Sequence, residues 1–413
     1  MNPAKNLPLP RRDFLLLTGG AAAAALLPSV SAPGRDPVAA PPPGGSANAA
    51  PAEMVRLPEK TDLLLVTDRP PQLETPLGMF TQDLTPNELF YVRWHLSEIP
   101  LSVDLAAFRL KVGGHVETPL ELSVEQLKKD FPAAEVVAVN QCSGNSRSFF
   151  NPPVAGVQWG NGAVGNARWK GVRLRDLLAK AGVKAGAVEV AFNGLDKPLL
   201  DKTPDFAKAL PTDVALQPNV LVAYEMNGAP LPILNGFPVR LVVPGWYATY
   251  WVKMLNDIRV TTEKSQSFWM EKAYRIPASA RASETPDKLD PNTVPISKMN
   301  VRSFVVAPAE GGDVSLKQGI EIHGVAFDGG SGIKKVEVST DGGKTWADAR
   351  LGPDLGNYSW RRFRLDWKPK AAGAVRVMAR ATSNAGETQD DTVIWNRSGY
   401  MRNNIEHVDV FVS

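Results

Sequence analysis

From Val301 onward the chain reads as short alternating runs, VRSFVVAP, IEIHGVAFDGGSGIKKVEVSTDGGKTW, YSWRRFRLDW and AVRVMARATS. An apolar residue at every second position suits a strand with one buried face, and Gly- and Asp-rich breaks suit turns. The spacing predicts an all-β, immunoglobulin-like sandwich over residues 298–413. Asp328-Gly329-Gly330 and Asp341-Gly342-Gly343 read as hairpin turns within it. Upstream the texture is mixed. ELFYVRWHL (Glu88 to Leu96), FRLKVGG, Glu135 to Asn140, VEVAFNG, VLVAY and PVRLVVPG are strand-like. Ser123-Val-Glu-Gln126 is a capping box opening a short helix through Lys129. Residues 171–183 read as an amphipathic helix with Leu174, Leu177, Leu178 and Ala181 on one face and Gly182 as its stop. The expected fold class is therefore α+β: a mixed α/β core over residues 54–297, then the sandwich.

With 44% hydrophobic residues in 413, the chain can build cores for two domains or three. Its 46 basic and 43 acidic residues nearly cancel, and no basic run is interleaved with aromatics, so no nucleic-acid partner is expected. Four histidines, at 95, 115, 323 and 407, lie far apart, and His-Glu-x-x-His, Cys-x-x-Cys and Cys-x-x-Cys-His are absent. Neither a zinc site nor covalently attached haem is encoded. At the N-terminus Arg11-Arg12 precedes an apolar run, Leu15 to Leu27, of 13 residues. That is short of the roughly 20 needed to span a bilayer. RRDFLL followed by small residues at 30–32 reads as a twin-arginine signal over 1–32, exporting a folded protein to the periplasm and leaving no membrane span after cleavage. Residues 33–53, rich in Pro, Gly and Ala, read as a disordered linker.

Export sharpens one question. Exported proteins use cysteines in pairs, yet Cys142 is alone in the whole sequence, at the end of a strand and five residues before Arg147. A lone cysteine on an apolar strand is ordinarily a small core residue, and a lone arginine an ion-paired or solvated one. Here several cations and aromatics accumulate: Arg93 and His95 on one face around Trp94, Arg147, Arg240, Lys253, and Tyr274-Arg275. A thiolate is a soft ligand for a transition metal, kept deprotonated by nearby positive charge, and several cations suit an oxyanion or a phosphate-bearing cofactor. From the residues alone this is an anion-handling redox metal site. Two other motifs carry no chemistry. Gly160-Asn-Gly162-Ala-Val-Gly165 matches Gly-x-Gly-x-x-Gly but has no apolar strand before it or helix after it, and reads as a surface loop. Gly343-Lys344-Thr345 lacks the upstream glycine of a phosphate loop.

FYVRWH, NQCSGNSR with the downstream GNARWKGVRL, NGFPVRLVVPGWYATYWVK and AYRIP occur in order. On these motifs the chain, from about residue 75 to its end, resembles the sulfite oxidase family of molybdenum enzymes, and within it the bacterial periplasmic sulfite dehydrogenases (sulfite:cytochrome c oxidoreductases). The resemblance implies a molybdopterin-binding catalytic domain over 54–297 and a dimerising sandwich over 298–413. It implies oxo transfer that turns sulfite into sulfate, with electrons passed singly to a c-type cytochrome. Cys142 matches the cysteine that ligates molybdenum through its thiolate. Tyr274 matches the catalytic tyrosine, and Arg93 and Arg147 match catalytic, substrate-binding arginines with Trp159 as the aromatic wall. Arg93, Trp94, His95, Asp196, Asn235, Arg240 and Lys253 fall where the family contacts the pterin and its phosphate, with Asn235 replacing a histidine of animal members. No haem module is present, so electrons are expected to leave to a separate protein. The family's immunoglobulin-like domain implies a homodimer, and a heterodimer with a cytochrome subunit, as in some bacterial members, is the other assembly. In one place the pattern departs. Animal members carry a further pocket arginine in a Trp-Asn-Leu-Arg-Gly segment, and here the order is Trp395-Asn396-Arg397-Ser398-Gly399. On a strand, that one-place displacement would turn Arg397 to the opposite face. The other readings are a relative using the same cofactor on nitrate or a sulfoxide, and a non-enzymatic periplasmic adhesion or assembly module.

Overall fold

Two long strands, Ala133–Gln141 and Val164–Arg173, pair antiparallel along their whole length and form the axis of the first half. The computed structural model that shows them describes residues 53–413, all within one compact unit. The signal and nearly all of the linker expected at 1–53 lie outside the described residues. The axial pair belongs to a sheet ordered Ala229–Pro230, Leu221–Met226, Val164–Arg173, Ala133–Gln141, with Arg240–Val242 also on Leu221–Met226. A second sheet runs Ala207–Pro211, Glu189–Gly194, Leu255–Thr261, Leu110–Gly114, Leu120–Leu122, and its one parallel pairing joins Leu255–Thr261 to Leu110–Gly114. A small N-terminal sheet of Met54–Val55, Leu63–Thr67, Gln72–Glu74 and Val92–Arg93 completes the mixed core.

The capping box forms as expected: Gln126 N donates to Ser123 Oγ at 3.1 Å, Ser123 N donates to Gln126 Oε1 at 2.8 Å, and the helix is Val124–Asp130. The second helix is shorter than the sequence suggests, Leu174–Ala181, because residues 171–173 are claimed by the axial strand. Its four predicted apolar residues are buried, and Gly182 ends it at φ 71°, a left-handed conformation open to glycine. Glu88 to Leu96 departs from expectation: only Val92–Arg93 is strand. Phe90, Tyr91 and Trp94 are buried there through side-chain packing, which gives the stretch its strand-like composition without a ladder.

The C-terminal half is the expected sandwich. One sheet is ordered Arg302–Ala307, Ile320–Phe327, Arg361–Trp367, Arg350–Leu351; the other is Asp313–Val314, Glu406–Val412, Gly373–Ser383, Ile333–Ser339, Ala347–Asp348. Ile322, Val336, Phe363, Val377 and Val410 fill the space between them. Asp341-Gly342-Gly343 lies in a true hairpin. Asp328-Gly329-Gly330 does not: it carries the chain from one sheet to the other, with Asp328 accepting from Gly330 N, Ser331 N and Gly332 N. Aspartate-glycine chemistry caps an arch as well as a hairpin, so the dipeptide alone does not distinguish them.

The two halves share a core. Phe304, Phe327 and Trp360 of the sandwich pack in one cluster with Phe80, Tyr247 and Trp251, and the Phe80 and Trp360 rings meet edge-on at 5.3 Å. A polar bolt crosses the same seam. Arg302, nearly fully buried, donates through Nη2 to Glu406 Oε1 at 2.6 Å and to Ser146 Oγ at 2.5 Å, while Asn161 Nδ2 donates to Glu406 Oε2 at 2.5 Å. Removing the carboxylate would strand a buried guanidinium. Glu406→Gln is expected to cost about 3–5 kcal/mol, read as a lower urea midpoint at unchanged slope. An unchanged midpoint would show the bolt to be dispensable.

Candidate active site

Cys142 follows the axial strand directly, and its loop is tied at every turn. Cys142 N donates to Ala163 O at 2.9 Å, Asn145 N donates to Cys142 O at 3.0 Å, and Ser146 N donates to Gly160 O at 2.6 Å. Ser146 sits at φ 70°, a costly conformation for a residue with a side chain, held by these bonds and by Arg302. The glycine-rich segment that faces this loop has a structural task. Buried Glu74 accepts from Gly160 N at 2.8 Å and Gly162 N at 2.6 Å, and a Cβ on Gly162 would lie 1.9 Å from Thr75 O. The segment is therefore not the surface loop its flanks suggested: residues 162–165 are buried, Val164 and Gly165 open the axial strand, and the glycines permit close backbone approach.

The sulfur opens onto a pocket with about 480 Å³ of empty space, its mouth included. Arg93, His95, Cys142, Asn235, Arg240, Lys253 and Tyr274 all line it, with Tyr91, Asn140, Ser143, Phe206 and Thr249. Arg93 and Tyr274, 181 positions apart in sequence, thus share one wall. Burial dominates the electrostatics. It lowers Arg240 to about 10 and depresses Lys253, which the neighbouring Arg240 depresses further and Asp196 partly restores. Asp196, buried beside Lys253 but off the pocket wall, is raised by burial and opposed by Lys253. Arg93 Nε and Nη1, Arg240 Nε, Ser143 Oγ and Thr249 Oγ1 are buried without a hydrogen-bond partner. Three unmet guanidinium nitrogens beside two unmet hydroxyls call for an anionic guest.

Tyr274 is held from several sides. Its backbone takes φ 56°, fixed by Ile296 N donating to Tyr274 O at 2.9 Å. Its hydroxyl lies 2.5 Å from His95 Nε2. Burial, then Arg93, Lys253 and Lys208, holds His95 well below the usual histidine range, and burial raises the Tyr274 phenol. The phenol therefore donates and a neutral imidazole accepts. His95 is locked in place by stacking on Phe206 at 3.6 Å between centroids.

Known proteins place this architecture. Residues 96–269 match the oxidoreductase molybdopterin binding domain, and residues 293–412 the Mo-co oxidoreductase dimerisation domain. The chain is 35% identical over 360 residues to sulfite oxidase of Gallus gallus, covering 83% of this chain and 77% of that one. It belongs to the sulfite oxidase family. Mitochondrial sulfite oxidase of Macaca fascicularis is 36% identical over 84% of this chain, which spans 65% of that longer protein. The crystal structure of the sulfane dehydrogenase SoxCD from Paracoccus pantotrophus superposes with a TM-score of 0.70 at 25% identity, covering 86% of this chain and 87% of that one.

The family's cofactor is molybdopterin, and the residues present fit it. Among the described residues no three His, Cys, Asp or Glu cluster as a metal cage, and Cys142 is the one soft sulfur on the pocket wall that could hold the cofactor's metal. Arg240, Arg93 and Thr249 offer unmet donors for the pterin and its phosphate.

Four residues singled out from the sequence lie off the pocket wall. Trp94 is in the core, donating Nε1–H to Leu234 O at 3.1 Å, with Lys253 Nζ 4.3 Å from its ring centroid. Trp159 is buried and meets Tyr91 edge-on at 6.3 Å. Asp196 acts on the wall only through Lys253. Arg147 is buried against Gly144 and Gly399 and fully engaged: Nε and Nη2 donate to Ser398 O at 3.3 and 3.0 Å, and Nη1 to Val157 O at 3.0 Å. It faces the pocket across Tyr400, whose ring it covers at 5.1 Å and which stacks on Tyr274 at 5.5 Å and 4°.

Tyr400 and Lys60 were not legible as site residues. Lys60 Nζ, buried, donates to Asn87 O, Phe90 O and Asn235 Oδ1, and so sits directly behind the pocket wall. It lies upstream of every recognisable motif, and only the oddity of a lysine in a chain segment destined for the core could have marked it. The segment of Arg397 is not a strand, so facing alternation does not apply. Arg397 leaves the pocket because Glu284 takes it: backbone N and Nε both donate to Oε1, at 2.7 and 2.9 Å. Those bonds lower Glu284 from 4.5 to about 2. A depressed carboxylate stabilises the fold fully above its unfolded value and loses that contribution as pH falls. Stability measured by thermal melting should therefore drop between about pH 4.5 and 2, and Glu284→Gln should flatten that limb; an equally steep limb in the variant would rule the pair out as its cause.

Proposed function

We propose that this protein oxidises sulfite to sulfate at a molybdopterin held in the pocket, and passes electrons singly to a c-type cytochrome in the periplasm. The observation that carries the reading is the convergence of Cys142, unpartnered Arg93 guanidinium atoms and the Tyr274 hydroxyl on one wall. When bound, the molybdenum centre supplies oxygen-atom transfer and takes up the two electrons. Cys142, opening onto the same pocket, would supply the chain's one sulfur ligand to that centre. Arg93 neutralises and orients sulfite with charge-assisted hydrogen bonds. Tyr274, whose single hydroxyl hydrogen is held by neutral His95, turns that hydrogen from His95 to the substrate oxygen where charge changes. Arg240, Lys253, His95 and Asn235 hold the pterin and its phosphate, with Asp196 and Trp94 fixing Lys253. Arg147 adds positive field through Tyr400, and Trp159 backs Tyr91.

The reading of Arg11-Arg12 as an export signal supports a periplasmic location, and the match of residues 293–412 to a dimerisation domain supports a homodimer, with a cytochrome-bearing heterodimer as the other assembly. Among the described residues no helix is long and apolar enough to cross a membrane.

Cys142→Ser should leave a folded protein whose sulfite-dependent cytochrome c reduction is lost; near-normal turnover would overturn the ligand role. Arg93→Gln should raise KM for sulfite about tenfold to a hundredfold, since a buried charge-assisted contact is worth roughly 1.5–3 kcal/mol. Arg147→Gln, its guanidinium already engaged by carbonyls, should raise KM less. Equal effects would return Arg147 to direct contact. Nitrate assayed in parallel separates sulfite oxidation from other chemistry on the same cofactor.

A further inference from the structure

Lys208 is a cation that the pocket chemistry above leaves unused. It lies on the strand Ala207–Pro211, facing away from solvent, with no accessible surface. Its Nζ donates to Trp269 O at 2.6 Å and stands 4.6 Å from the Tyr250 ring centroid and 5.1 Å from that of Tyr274. Among the described residues no carboxylate pairs with it: Glu189, the acid that acts on it, is committed to Ser265 N at 2.7 Å. An unpaired buried ammonium is costly, and burial lowers Lys208 to about 7. Two aromatic faces and a carbonyl are nonetheless what a desolvated cation prefers in place of water. The carbonyl it holds belongs to Trp269, whose ring meets His95 edge-on at 4.9 Å.

We propose that Lys208 is a positioning residue for the Tyr274–His95 pair, its charge holding the face of the phenol ring so that the hydroxyl stays within hydrogen-bond reach of His95 Nε2. The inference rests on the reading of Tyr274 as the donor to substrate. The groups facing this pair are Arg93, Lys253 and Lys208 around His95, and Arg93, Arg147, Tyr400 and Cys142 around Tyr274. Lys208 differs from these other cations in touching the Tyr274 ring without lining the pocket. Its effect on substrate must therefore pass through Tyr274 or His95.

Lys208→Gln keeps a donor for Trp269 O and removes the charge. In the holoenzyme kcat for sulfite should fall about thirtyfold, the scale of a desolvated cation–π contact, and Lys208→Arg should recover most of it. The acid limb of the pH–rate profile should move to higher pH, because His95 now protonates more readily and stops accepting. Ring-nitrogen NMR of labelled histidine, independent of turnover, should show His95 titrating at higher pH in Lys208→Gln than in wild type. In a Tyr274→Phe background, Lys208→Gln should add little further loss of kcat. An unmoved acid limb, an unmoved His95 titration, or a full additional loss in the Tyr274→Phe background would overturn the proposal and leave Lys208 a packing residue. Should Lys208→Gln fail to fold, wild type alone decides: His95 protonated at neutral pH sinks the idea. If sulfite proves not to be a substrate while His95 still shifts in the variant, the functional reading fails and the positioning role stands.

Discussion

A pocket walled by Arg93, Arg240 and Lys253, out of water and with unmet donors, is electrostatically unfinished. Each cation has lost hydration, and Asp196 compensates only Lys253. Such an arrangement is stable only because a large folded scaffold over-determines it, and it gains free energy when an anion enters. The fold can be understood as the means of holding that charge. The axial strand pair delivers Cys142, the N-terminal sheet delivers Arg93 and His95, and the short strand Arg240–Val242 with its following turn delivers Arg240 and Lys253.

The sandwich takes part in the same task. Arg302 reaches across the seam to Ser146, four residues after the sulfur, Glu406 accepts from Asn161, and Ser398 O and Tyr400 clamp Arg147. A domain that matches a dimerisation family by sequence therefore also completes the wall behind Tyr274. The sandwich and the geometry at the sulfur are mechanically linked, because the apolar cluster around Trp360 and Tyr247 runs through both parts of the chain without a break.

Legibility in the sequence followed the range of the interaction. Local signals read true: the Ser123 capping box, the Leu174 helix face and the alternating runs of the sandwich all depend on neighbours within a few residues. Arg93 and His95 lining one pocket was legible as an i, i+2 relation even though the surrounding stretch is mostly not strand. What failed was the partner of each turn or charge. Asp328-Gly329-Gly330 looks like a hairpin until the second sheet is known, and Arg397 looks like a facing problem until Glu284 appears 113 positions away. Arg147 was readable as a buried cation near the sulfur, but not its engagement by Ser398 O, 251 positions distant.

Asn235 shows how the charge balance is kept when one residue changes. The motif match places it where animal members carry a histidine, and an amide cannot bear charge. In this chain its side chain instead bridges Lys60 Nζ and Tyr91 O, while its backbone carbonyl accepts from Arg240 Nη1 at 2.9 Å. One neutral residue thus anchors two cations. Burial lowers Lys60 to about 7, and Glu59 and Glu88 counter that effect in part, so an anion arriving on the other side of Asn235 would favour its charged form. The positive field lost with an imidazole can in this way be supplied from the N-terminal sheet, by a lysine that no motif contains.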